Sequence, residues 1–270
     1  MATPIGHRGD ITLRALLTLA HADAVLCEDT RVSGSLLHAY GIKRPLIACH
    51  DHNEAARTPA LLRRMQDGEA LALVSDAGMP VVSDPGFRLA RACIEARIMV
   101  TVCPGASAVL AALTLSGLPP EPFLFLGFPP SRSQARRRML ALWKDVPASL
   151  VLYESPQRLA AALQDMQEVL GDREAAVTRE LTKRYEECRR ARLSELAAHY
   201  AAHPPRGEIT IIAAPPVPEA ATEAALDGCL RAALAQGSLR DAVAAAVAAT
   251  GLPRSAVYQR ALALRQEERT

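Results

Sequence analysis

Residues 70–86 read ALALVSDAGMPVVSDPG, and this stretch decides the fold. The run 70–75 is apolar and breaks into a loop rich in Ser, Asp, Gly and Pro. A continuous apolar run of strand length, bounded by turn residues, reads as a strand covered on both faces, as in a parallel sheet. Asp84-Pro85 then reads as a helix N-cap with proline at the first helical position. Strand, polar loop and helix in that order make one unit of an α/β fold. Ligands of such folds bind beyond the carboxyl ends of the strands. Ser75-Asp76-Ala77-Gly78-Met79-Pro80 and Ser83-Asp84-Pro85-Gly86 are therefore candidate ligand loops.

The unit repeats in both directions. Further strands are expected at 23–27, 46–49, 98–103, 123–127, 149–153, 175–179 and 208–213, with helices between them. Asp10 stands to cap 11–21, and Asn53 to cap a helix that stops at Gly68. Ser155-Pro156 opens another helix, which Gly171 closes. The expected class is α/β, doubly wound. Further polar loops follow the other strands, namely Glu28-Asp29-Thr30-Arg31, Pro104-Gly105-Ala106-Ser107-Ala108, Gly127-Phe128-Pro129-Pro130 and Arg179-Glu180-Leu181-Thr182-Lys183. The cluster Gly117-Leu118-Pro119-Pro120-Glu121-Pro122 makes a stiff connector, and Pro215-Pro216-Val217-Pro218 a second break. These breaks divide the chain into an α/β domain at 1–118, a second α/β domain at 123–214 and a helical segment at 219–270. In that segment 239–249 and 254–265 flank Thr250-Gly251-Leu252-Pro253, which suits a helix-turn-helix or a plain helical hairpin.

The chain has 270 residues, enough for two domains at roughly 150 residues each. It is 50% apolar and 22% charged, which excludes a disordered chain. Its 31 basic and 29 acidic residues leave a net charge of +2, so it is no generic polybasic binder of nucleic acid; a local basic face remains open. The six cysteines include no C-x-x-C pair, and several sit in apolar runs, as expected of reduced thiols in a cytoplasmic protein. The opening MATPIGHRGD lacks the apolar core of a signal peptide, and no apolar run is long enough to predict a membrane span. Neither the G-x-G-x-x-G nor the G-x-x-x-x-G-K-[ST] phosphate cradle is present. Aspartates and small residues without a phosphate nest suit a nucleoside with a cationic or zwitterionic tail, such as S-adenosylmethionine.

The motifs run in order: ATPIGHRGDITLRAL (2–16), EDTR (28–31), HDHNE (50–54), ALVSDAGMP (72–80), SDPG (83–86) and PGASA (104–108). GFPP (127–130), LYESPQRL (152–159), RELTK (179–183) and RGEITI (206–211) follow. On these the chain resembles the ribose-methylating, ribosomal-RNA branch of the tetrapyrrole methylase superfamily, over essentially its whole length. His7-Arg8 and Met79 depart from the pattern, where Asn-Leu and Thr are usual. The resemblance implies two α/β domains of the tetrapyrrole methylase type with a C-terminal helical appendage. It implies S-adenosylmethionine as donor and 2′-O-methylation of a decoding-centre cytidine (1402) of 16S rRNA, probed in the 30S subunit, by a homodimer. It places Asp76, Met79, Ser107 and Ala108 along the cofactor pocket. Pro4 and Ile5 approach from the first loop, Tyr153 and Glu154 from the second domain, and Glu208 and Ile209 from the last strand. A small-molecule tetrapyrrole methyltransferase shares the fold and is the alternative; a non-catalytic ribosome-binding protein is a third reading.

Methyl transfer to a ribose gains from a group that takes the hydroxyl proton. Glu28, Asp29, Glu154 and Glu180 are the candidates, and Glu154 is favoured for its place after a second-domain strand; a helix cap or an ion pair with Arg179 is its bland role. His50-Asp51-His52-Asn53-Glu54 reads as RNA contact or local capping more than as a metal cluster, so no metal is expected. Arg132, Arg136, Arg137 and Arg138 form a basic cluster suited to phosphates or to a solvated face. Arg31, His50, His52 and Lys183 join them as candidate RNA contacts. Finally, the first loop arrives after only Met1-Ala2, where the family pattern has an apolar strand. The expectation is a gap or a borrowed strand at that place in the sheet.

Overall fold

The computed structural model describes residues 1–216, 223–235, 237–250 and 252–267. Val217, Pro218, the start of the helical segment at 219–222, and Gly251 of the expected turn lie outside the described residues. The chain divides into two compact units, Met1–Pro215 and Pro216–Thr270.

The first unit holds two lobes, each with its own sheet. In the first lobe β1 (Ala24–Cys27) is flanked by β2 (Leu46–Ala48) and β3 (Leu71–Leu73), all parallel. The helices α1 (Leu13–His21), α2 (Thr30–Ala39), α3 (Glu54–Gln66) and α4 (Phe87–Glu95) connect and cover these strands, and α5 (Ala108–Ser116) leads out of the lobe. All four residues of β1 are buried, as its unbroken apolar run requires. Parallel strands put their carboxyl ends on one edge, so the loops at 28–31, 49–53 and 74–86 meet there.

The second sheet runs β4-β5-β8-β6-β7. It comprises β4 (Phe123–Phe125), β5 (Ser149–Glu154), β6 (Glu174–Arg179), β7 (Glu187–Arg192) and β8 (Ile209–Ala213). Only β4 and β5 are parallel; the other neighbours are antiparallel, so this lobe is mixed and not doubly wound in the expected all-parallel sense. Register places Glu154 and Arg179 on either side of Ile209, gathering the ends of β5 and β6 and the start of β8 at one edge. The helices α6 (Ser133–Ala141), α7 (Leu159–Leu170) and α8 (Leu193–Ala202) pack over a core that includes Leu140, Leu150, Leu152, Leu159, Leu163 and Leu196. Burying each such leucine contributes roughly 1.5–3 kcal/mol.

Several expected caps fall elsewhere. Asp10 lies in a single 3-10 turn, Arg8–Asp10, and Thr12 caps α1 instead. Asn53 precedes α3, but its side chain folds back on His50 and Ala48 and caps nothing. α4 begins at Phe87, after Gly86 at φ 122°, so Asp84 and Pro85 stand outside it. Its amino end is served by Glu54, whose buried Oε1 accepts from Leu89 N at 2.9 Å. Ser155-Pro156 likewise precedes a turn, and α7 starts at Leu159 and ends at Gly171.

The 98–103 run forms no strand among the described residues. Residues 1–3 lie between it and β3. The Met1 amino group donates to Leu73 O at 2.9 Å, and Ala2 N donates to Cys103 O at 3.0 Å. Thr3 forms an antiparallel bridge with Gly78. Residues 1–3 meet this run at Cys103, and Met99 is 89% exposed. β7 was not anticipated: ECRRAR has charges on both faces, because it is the outermost strand, with Arg189, Arg190 and Arg192 exposed.

In the second unit, α9 (Glu223–Leu234), α10 (Leu239–Thr250) and α11 (Arg254–Glu267) enclose their own apolar core of Leu226, Leu230, Val243, Ala246, Val257, Ala261 and Leu264. Among the described residues no helix is long and apolar enough to cross a membrane, and the described cysteines are free thiols.

Candidate functional site

The strand-end edges of the two lobes face one cleft of about 360 Å³. The first lobe lines it with Ile5, Asp76, Met79, Asp84, Ser107 and Ala108, and the second with Phe128, Tyr153, Glu154, Thr178, Glu208 and Ile209. This volume lies within the range of small-molecule sites. Pro4 is buried beside Ile5 but does not line the cleft.

The loops are held from behind. Thr3 exchanges backbone hydrogen bonds with Gly78, and its Oγ1 donates to Ser75 O at 3.0 Å, so the first loop straps the Asp76 loop. Ser107 caps α5, which turns the PGASA segment toward the cleft. Val81 (φ 77°) and Ser83 (φ 64°) are left-handed without being glycine. Such conformations cost on the order of 1–3 kcal/mol each and persist where their surroundings impose them. They bend the chain so that Asp84, freed from any helix, lines the cleft. Across it the Phe128 and Tyr153 rings meet at 5.3 Å, leaving Phe128 58% exposed.

The charges divide by environment. Asp84 is partly buried, with no hydrogen-bond or ion-pair partner among the described residues. Burial, then the charges of Glu28, Asp76 and Asp51, push its carboxyl up to about 7. Burial also raises Asp76, whose Oδ1 accepts from Asp29 N at 3.3 Å. Burial, then Asp84 and Glu208, push the Tyr153 hydroxyl up to about 12.

Of the four carboxylates expected to serve as base, only Glu154 lines the cleft. Its buried Oε1 accepts from Ser155 N (2.7 Å) and pairs with Arg158 (2.7 Å), not with Arg179. Its Oε2 is buried with no partner among the described residues. Asp29 caps α2 and pairs with Arg31 at 2.6 Å, which holds its carboxyl down to about 2. Glu180 accepts from Glu208 N and Lys183 Nζ, each at 3.0 Å. Glu28, at the end of β1, is outside the cleft lining and is raised by desolvation and then by Asp76.

The expected basic face is corrected in part. Arg136 is only 3% exposed and pairs with Asp165 at 2.5 Å, and Arg137 binds Asp165 and Glu168. The reason is helical spacing, since Arg136 shares the inward face of α6 with Leu140. Arg132 and Arg138 remain exposed. Lys183 is tied to Glu180 and Glu208, and Arg31 to Asp29. His50 is engaged by Asn53 at 2.9 Å, while His52 is exposed. Among the described residues no group of three His, Cys, Asp or Glu is arranged to hold a metal ion. Val82, Thr178, Thr210 and Gly207 line the cleft and were not anticipated; Ser83, Asp84 and Phe128 line it from strand-end loops that were, though no role was assigned to these side chains. GFPP and SDPG were the available signals, as polar loops after strands.

Residues 2–197 match the family model for tetrapyrrole (corrin/porphyrin) methylases. The chain belongs to the tetrapyrrole methylase family. A second model, the RsmI C-terminal HTH domain, matches residues 220–265 of this methylase. A relative from Mesorhizobium japonicum, named ribosomal RNA small subunit methyltransferase I, is 49% identical over 267 residues, 98% of this chain and 91% of its own. A relative of the same name from Synechocystis is 42% identical, covering 98% of this chain and 96% of its own. The solved uroporphyrin-III C-methyltransferase from Thermus thermophilus, complexed with S-adenosyl homocysteine, is similar in fold at 22% identity. Its TM-score is 0.54, and the match covers 78% of this methylase and 94% of that chain.

Proposed function

We propose that this methylase transfers a methyl group from S-adenosylmethionine to ribosomal RNA, at the ribose 2′-oxygen of the decoding-centre cytidine (1402) of 16S rRNA. The cleft carries the reading. It is walled by apolar and small residues, has an aromatic pair on one side, and holds the Asp76 carboxylate, with no ion-pair partner among the described residues, where a sulfonium or ammonium gains charge complementarity. The orphaned Oε2 of buried Glu154 offers an acceptor to a ligand hydroxyl or amine. The relatives' shared name supports ribosomal RNA as substrate, and the complex of the Thermus thermophilus protein supports the donor.

The donor supplies an activated methyl group when bound. Asp76, Met79, Ser107, Ala108, Tyr153 and Ile209 are the residues that would hold it, together with Ile5 of the same lining. The protein then has to position the ribose, which for a folded RNA means drawing one nucleotide out of its stack. Arg132, Arg138 and His52 are exposed candidates for phosphate contact. The setting is a cytoplasmic homodimer acting on the 30S subunit, with 1–118, 123–214 and 219–270 as functional domains.

Incubating 30S subunits with protein and labelled donor, then digesting the 16S rRNA for mass spectrometry, tests the reading. A label on the cytidine ribose is expected; label on a base, on a tetrapyrrole only, or nowhere overturns it. Replacing Asp76 with alanine is expected to weaken donor binding roughly tenfold to a hundredfold in calorimetric titration, the size of a lost charge-assisted contact. The melting temperature should hardly change, because Asp76 accepts one long hydrogen bond and packs no core.

A further inference from the structure

Methylating a ribose requires its 2′-hydroxyl proton to go somewhere, and the cleft holds one carboxylate with neither oxygen engaged among the described residues. Asp84 lines the cleft without a cation or donor among the described residues. Each alternative has at least one oxygen engaged: Glu154 through Oε1 by Arg158 and Ser155 N, with Oε2 left free, Asp76 by Asp29 N, Glu180 by Lys183 and Glu208 N, and Asp29 by Arg31 and α2. Two left-handed residues, Val81 and Ser83, set its position, and the turn lies close to the second lobe, where a Cβ added at Gly127 would stand 3.4 Å from Ser83 Oγ.

We propose that the Asp84 carboxylate accepts the proton of the ribose 2′-hydroxyl during methylation; this rests on the ribose-methylating reading above. The O–H bond breaks toward Asp84, and the freed oxygen pair forms the new O–CH3 bond. The S–CH3 pair leaves with the sulfonium donor's sulfur, and Asp84 returns its proton to solvent. The groups around it explain why it suits the task. Glu28, Asp51 and Asp76 stand at the ends of the three first-lobe strands, with His50 beside Glu28. Tyr153 faces it from β5, with Glu208 beyond. Arg88 on the following helix forms no ion pair with it among the described residues. Burial and like charges hold its carboxyl at about 7, where a base both takes and releases protons at neutral pH.

The Asp84→Asn variant tests this with three readouts. The wild-type single-turnover rate should rise about tenfold per pH unit below pH 7 and flatten above it; the variant should be roughly 10²–10⁴-fold slower and lack that break. Donor affinity should stay within about threefold, and Asp84→Glu should recover part of the rate. Without donor, the variant should outmelt wild type by a margin that widens from about pH 4, the unfolded carboxyl's range, to pH 7. The sign follows from the raised folded value: ionising Asp84 in that pH window destabilises the fold, and asparagine cannot ionise. Wild type that makes 2′-O-methylcytidine beside a variant of near-normal rate and pH profile overturns the proton acceptor alone. Loss of donor binding in the variant also overturns it, assigning Asp84 to the cofactor. A wild type that methylates another atom overturns the underlying reading itself.

Discussion

Replacing Arg136 with alanine is expected to destabilise the first unit by roughly 3 kcal/mol or more, the cost of breaking a buried ion pair from one side. The guanidinium is 3% exposed, bonds Asp165 through Nε (2.8 Å) and Nη2 (2.5 Å), and serves the carbonyls of Pro130, Ser131 and Ala161. Arg137 and Ser133 still reach Asp165, which keeps the loss near the lower end of the range for such pairs. At roughly 2–4 °C per kcal/mol for a unit of this size, the melting temperature should fall by about 6–12 °C. Arg138→Ala, on the exposed face of the same helix, should lie within about 0.5 kcal/mol of wild type. An Arg136→Ala protein that melts normally but binds RNA with a shallower salt dependence would restore the arginine to the RNA face.

Gly6→Ala should cut methylation on the order of a hundredfold with the fold intact, since displacing a positioned group by about 1 Å carries that cost. A Cβ there would sit 2.5 Å from Lys183 Cγ, 2.7 Å from Thr182 Oγ1 and 2.9 Å from Leu181 O. The backbone contact leaves no flexible side chain to yield. The two loops must part, breaking the 2.9 Å bond from His7 N to Thr182 Oγ1 and shifting Ile5 and Leu181, both of which line the cleft. Calorimetric donor titration beside the rate assay separates lost binding from lost chemistry. Gly228→Ala is the control: nothing stands within 4 Å of its Cβ, and a mid-helix glycine so replaced gains roughly 0.5–1 kcal/mol. A Gly6→Ala enzyme as active as wild type would show that the loops close without this contact.

These positions also show what a single sequence discloses. Strand-end loops such as SDAGMP and LYES were legible, because apolar runs and turn residues are local signals, and topology then brings Asp76 and Tyr153 to one cleft. Asp84 was legible as polar and misread as a cap, because the true partner of α4 is Glu54, some thirty residues earlier, and no local pattern encodes that pairing. Arg136 was read as surface on the strength of its charge. Its spacing from Leu140 was the available clue, but the buried acid that justifies it lies on α7. The 98–103 run has strand chemistry without a ladder, since pairing depends on the neighbour as much as on the run itself. β7 lacked the two-residue alternation because neither of its faces belongs wholly to the core.

That outer strand has a consequence for life in a crowded solution. An unpaired strand edge is a template on which another chain can add itself, the first step toward aggregation. β7 carries guanidinium groups on both of its faces, through Arg189 on one and Arg190 and Arg192 on the other. A second copy that paired edge to edge would set arginine-rich faces against one another, and like charges opposed across strands are destabilising. The strand that says least about the fold thus guards the sheet against uncontrolled growth at its open side.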